Sequence, residues 1–179
     1  ADLNDIAGRG YALVVVDGLG INLRFGRVEL LVTDATGDIV RIDLLEPPDG
    51  IGGNRYFWNS AVLADFGASR YVWHFGGWDM TDYRRESETF RAIPTTTGIW
   101  SWDRTGPPFP GDPYHAAFYK VDATTGWIYV ADLGGDVHRA SADAAGGIGS
   151  WTSTATLPGT ARGDLFVLGQ GLMAIRGRK

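Results

Sequence analysis

Apolar residues in this chain come in short runs. Some alternate with polar positions and others are continuous, and Gly, Asp and Pro separate them. Helical spacing is nearly absent, so the pattern predicts strands almost everywhere. Strands are expected over Tyr11–Asp17, Val28–Asp34, Asp38–Leu44, Tyr56–Leu63, Arg70–Phe75, Glu88–Ile93 and Gly98–Asp103. They continue over Tyr114–Lys120, Gly126–Asp132, Asp136–Ala142, Gly147–Thr152, Arg162–Leu168 and Gly171–Ile175. Their regular spacing, with turns such as Ala35-Thr36-Gly37-Asp38, points to a sandwich, a barrel or a propeller.

Internal repetition chooses among these. An offset of 58 superposes Tyr56–Gly77 on Tyr114–Gly135 without a gap, 22 residues in each copy. Tyr71-Val72 then meets Tyr129-Val130, and Phe75-Gly76-Gly77 meets Leu133-Gly134-Gly135. Further along, Gly98-Ile99-Trp100-Ser101-Trp102 matches Gly147-Ile148-Gly149-Ser150-Trp151. Each then runs to a hydrophobic-Pro pair, Phe109-Pro110 and Leu157-Pro158. Thr36-Gly37-Asp38-Ile39, leading to Leu45-Glu46-Pro47-Pro48, is a more degenerate copy.

The order of these marks resembles the kelch repeat: a strand ending in a bulky residue and Gly-Gly, a strand pair, a Trp, then hydrophobic-Pro and another strand. Gly147-Ile148-Gly149-Ser150-Trp151, Leu157-Pro158, Ala161-Arg162 and Leu168-Gly169 match best, and the likeness covers residues 37–177. The last copy lacks its second Gly-Gly, reading Leu168-Gly169-Gln170-Gly171. The resemblance implies an all-β propeller of four-stranded blades around a central channel, with a binding or scaffolding role. A single domain over 1–179 is expected, with repeats at about 37–77, 98–135 and 147–177 and a partial first blade in 1–36. Physically, Gly-Gly suits a chain reversal, the Trp offers a large apolar plate to a neighbouring blade, and the Pro suits a position leaving a strand.

The strand count gives two full blades, at 56–103 and 114–152, flanked by three strands in 11–44 and two in 162–175. Closed propellers have about four to eight blades. The expectation is a ring completed by a longer chain, by a protein partner or by copies of the same chain, or else an open stack; two copies of three blades would close a six-bladed ring.

Composition narrows the chemistry. Gly makes up 26 of 179 residues and aromatics 12%, which suits many strands joined by tight turns. A net charge of −5 disfavours the nucleic-acid backbone as a partner. There is no Cys, which excludes disulfides, thiolate metal sites and a Cys nucleophile. No run approaches the roughly 18 apolar residues of a membrane span, and the acidic, polar start Ala1-Asp2-Leu3-Asn4-Asp5 does not read as a signal peptide.

Trp102 and Trp151 occupy equivalent repeat positions and are expected in the core. Trp58, Trp78, Trp100 and Trp127 are off-pattern, facing Ala116, Asp136, Gly149 and Ser69 in the other copies. Off-pattern aromatics are freer to stack on a sugar ring or anchor a protein. The segment Trp78-Asp79-Met80-Thr81-Asp82-Tyr83-Arg84-Arg85-Glu86 reads as a loop insertion, because Gly77–Ile99 is longer than Gly135–Ile148. Trp78, Asp79, Tyr83, Arg84 and Arg85, with Trp58 and Trp127, are the candidate partner-binding residues. Competing readings are a solvated charged loop for the segment and local packing for the tryptophans.

The stretch Thr105–Pro113 reads as a stiff blade connection, with Phe109 as a tip that is either presented or packed. His74, His115 and His138 lack short metal-ligand spacing. Asp132, Asp136 and His138 can be drawn as a cation site, but acidic turns are commoner. Asp34 and Asp122, each opening Asp-Ala-Thr, read as turn residues whose carboxylates bond nearby amides.

No serine-nucleophile elbow, phosphate loop or dinucleotide fingerprint is present. Thr95-Thr96-Thr97-Gly98-Ile99-Trp100 only approximates the Asp box of sialidase propellers, with Thr in the Asp place. The expectation is a non-catalytic structural or interaction module without cofactor or metal, in an extracellular or virion-surface setting such as a phage tail. The alternatives are a carbohydrate-binding propeller, and a glycosidase-type enzyme with two carboxylates facing one cleft.

Overall fold

The computed structural model describes the backbone of residues 11–17, 26–33, 36, 38–45, 56–57, 60–79, 84–93, 101–157, 165–168 and 171–174, with side-chain detail over 60–76, 87–93 and 102–157 and around the turn at 36–39. The described chain is all-β and every strand pairing is antiparallel. Among the described residues no helix is long and apolar enough to cross a membrane.

Strands follow one another as meanders. β1 (Tyr11–Asp17), β2 (Gly26–Thr33) and β3 (Ile39–Leu45) form the first sheet. The second contains β4 (Tyr56–Phe57), β5 (Ser60–Asp65), β6 (Arg70–Asp79), β7 (Arg84–Ile93) and β8 (Ser101–Arg104). Here β4 and β5 share one edge: β4 pairs with Trp78-Asp79 and β5 with Arg70–Phe75 of the same strand. The third sheet is β9 (Pro113–Lys120), β10 (Thr125–Asp132), β11 (Asp136–Asp143) and β12 (Thr152–Thr156), in that spatial order. β13 (Leu165–Leu168) and β14 (Gly171–Ala174) form a two-stranded sheet. None of these sheets closes on itself.

The sheets meet through the edge strands at their N-terminal sides. β1 lies against β5, β5 against β9, and β9 against β13. Strand chemistry explains why the second sheet can sit between neighbours. Successive side chains of a strand point to opposite faces, and on β6 Val72 and His74 alternate with Trp73 and Phe75, all at most 1% exposed. Trp73 and Phe75 join Val62 and Ala64 of β5, and Ile128, Val130 and Ala142 of the third sheet, in one core. Phe66 enters it from the β5–β6 turn and Phe109 from the β8–β9 connection. On β10 the alternation is regular: Gly126, Ile128 and Val130 are buried, and Trp127 and Tyr129 are half-buried.

Phe109, 1% exposed, is a packed plug rather than a presented tip. Its ring meets Trp151 edge-on at 5.1 Å, His138 edge-on at 5.3 Å and Phe75 at 6.4 Å. Trp151 packs against this core as expected, edge-on to Phe75 at 5.2 Å, and its Nε1 donates to the Pro107 carbonyl at 3.3 Å. Trp102 is half-buried on β8, edge-on to His74 at 6.2 Å.

Three local expectations are corrected. Gly76-Gly77 does not reverse the chain: both lie inside β6, where the pairing with β7 shifts register. The matching Gly134-Gly135 does sit in a turn, between β10 and β11, with Gly135 at φ 95°. Secondly, the extra length around Trp78, of which residues 80–83 lie outside the described residues, is not all loop. It lengthens β6 and β7 to 10 residues each, against 8 in β10 and in β11. Thirdly, Gly147–Trp151 precedes β12 instead of forming it. There the Asp143 carboxylate accepts from the Ala145 and Gly147 amides, both at 2.9 Å, and Gly149 N–H donates to the Ser141 carbonyl at 2.8 Å. A wide capped turn takes these residues before the ladder resumes.

That turn also joins the second and third sheets. The Ala144 carbonyl accepts from the hydroxyls of Ser69 at 2.7 Å and Tyr71 at 3.1 Å, while Ala144 N–H donates to Thr124 at 2.8 Å. The Gly146 carbonyl accepts from the Arg91 guanidinium, which also pairs with Asp103 at 3.1 Å.

Candidate functional site

The candidate residues fall at two places. Asp79 of β6 stands in register between Tyr56 of β4 and Arg84 of β7, and Trp78 between Phe57 and Arg85. Thus Trp78, Asp79, Arg84 and Arg85 form two neighbouring three-residue rows at the β6–β7 end of the second sheet. Strand pairing sets an acid, two arginines and aromatic residues at neighbouring register positions there. Tyr83 and Trp58 lie outside the described residues, as do Asp34, Trp100 and the Thr95–Trp100 segment.

Trp127 lies elsewhere. It is on β10, in register with Tyr119 of β9 and Ser141 of β11. The Arg139 guanidinium stacks over its indole, 4.5 Å from the ring centroid. Tyr129 pairs with Arg139 across the strands, so Tyr119, Trp127, Tyr129 and Arg139 share one half-exposed face. Trp127 sits beside the β9–β10 turn, which the Ala144 N–H bond to Thr124 and the Ser69 bond to Ala144 tie to the β5–β6 turn. Trp78 is at the other end of β6, so the two groups lie at opposite ends of the sheets and make no common site.

The Asp132, Asp136 and His138 trio builds a turn. Asp132 accepts from the Asp136 amide at 2.9 Å and lies 3.7 Å from His138 Nε2. Asp136 accepts from the Thr156 hydroxyl at 2.6 Å, pinning β12. Among the described residues no three His, Asp or Glu side chains are grouped to hold a metal ion. Other described acids are also engaged locally: Asp65 pairs with Arg70 at 2.8 Å, and Glu88 with Arg104.

Asp122 performs the expected turn chemistry. Its carboxylate accepts from the amides of Thr124 at 2.7 Å and Thr125 at 2.8 Å and from both threonine hydroxyls. These bonds, the Thr124 amide first, lower its pKa from 3.8 to about 2. Its contribution to stability is therefore present above pH 3.8 and is lost as the pH falls toward 2. Asp122→Ala is expected to speed hydrogen exchange at the Thr124 and Thr125 amides while leaving β6 protected. Unchanged exchange at both amides would show that the carboxylate does not hold this turn.

His74 is fully buried in register with Ala61 and Phe90, and burial pushes its pKa from 6.5 to about 4. The unfolded chain takes up this proton below pH 6.5 and the folded chain only below about pH 4. Stability therefore falls across that window as the pH drops, by about 3 kcal/mol at its lower end. Urea unfolding at pH 7 and 4.5 is expected to show an acid loss smaller by about 2 kcal/mol in His74→Leu than in the wild type. Equal losses would mean that His74 is not the titrating group.

Ser69, Tyr71, Arg91 and Arg139 make contacts between strands that the sequence repeat does not foretell. No local motif marks them, because their roles depend on which strands become neighbours. No protein-family model matches the chain, and no curated protein matches its sequence. The strand pairings of the described residues thus define the class: an antiparallel all-β protein of sequential meanders.

Proposed function

We propose that the chain is a segment of a kelch-like β-propeller, serving as a non-catalytic structural or interaction module of a larger assembly. The observation that carries this reading is the order of contacts between sheets: β1 with β5, β5 with β9, β9 with β13. Each lies at the N-terminal edge of its meander, as the innermost strands of successive blades would. The four strand positions of the second and third sheets fit the blade unit. A tyrosine- and tryptophan-bearing face on the third sheet supports an interaction role, since those residue types dominate binding hot spots. The proposed setting is extracellular or on a virion surface, as in a phage tail, with protein partners or further copies of the chain completing the ring.

Sedimentation velocity over a concentration series tests self-completion. The expected result is association above the 19.4 kDa of one chain, weakened by Trp127→Ala at unchanged thermal stability. A single-chain mass at every concentration would overturn completion by copies of itself. A second reading, a carbohydrate-binding propeller, draws on the half-exposed Trp127 beside Tyr119 and Tyr129. Glycan-array binding that disappears in Trp78→Ala or Trp127→Ala would favour it over a purely structural role.

A further inference from the structure

We draw no further inference here: the strongest candidate, the edge of β14 that has no strand partner among the described residues of the two-stranded sheet, fits an added strand, but nothing in the structure shows what covers it.

Discussion

Replacing Phe109 with alanine is expected to destabilise the fold by about 4 kcal/mol. Phe109 comes from a connection rather than a strand, yet it fills the space between the second and third sheets. Its ring touches Phe75 of β6, His138 of β11 and Trp151 before β12. Truncation removes the transfer energy of a buried aromatic and the edge-to-face contacts. It also leaves a cavity that two hydrogen-bonded sheets cannot collapse to fill. Its backbone N–H donates to the Ser87 carbonyl, so the connection remains docked on β7 while the ring is missing. Phe109→Leu keeps most of the volume and is expected to cost about 1 kcal/mol. Urea midpoints of both variants check this order. A loss below about 1 kcal/mol for Phe109→Ala would show that the two sheets do not share this core.

Gly146→Val is expected to cost a similar amount, for a different reason. Gly146 has φ +84°, a conformation that costs a side-chain-bearing residue about 1–2 kcal/mol. A Cβ there would also stand 2.7 Å from both Arg91 Nη1 and Tyr71 Cε1. Those two side chains hold the turn onto the second sheet, through the carbonyls of Gly146 and Ala144. The clash therefore pushes the sheets apart at their hydrogen-bonded contact and adds a further ~1–3 kcal/mol. Ala145→Val, one residue earlier and exposed, is the control, expected to change stability by less than about 0.5 kcal/mol. Equal effects at 145 and 146 would mean that the turn is not wedged between Arg91 and Tyr71.

The strands were legible because the signals that define them are local. Tyr11–Asp17 stands as predicted from its continuous apolar run, and the β10 alternation around Ile128 and Val130 is plain in the sequence. Asp122 was legible for the same reason, since the carboxylate reaches amides two and three residues on. Gly76-Gly77 misled because glycine serves equally at a turn and at a register shift within a strand; only the pairing with β7 distinguishes them. The Trp78–Glu86 segment misled because added length lengthens a hairpin as readily as a loop. The core role of Phe109, the stacking of Arg139 on Trp127 and the docking of Arg91 on Gly146, 55 residues away, depend on which strands become neighbours and on their register. No local pattern encodes them.

Successive meanders stand side by side through the edge strands β1, β5, β9 and β13. Interproton contacts between the sheets, measured by NOESY on the isotopically labelled chain in solution, test this arrangement most directly. Contacts are expected from β1 to β5, from β5 to β9 and from β9 to β13. Contacts joining β8 to β12 face to face, with none between β5 and β9, would contradict it.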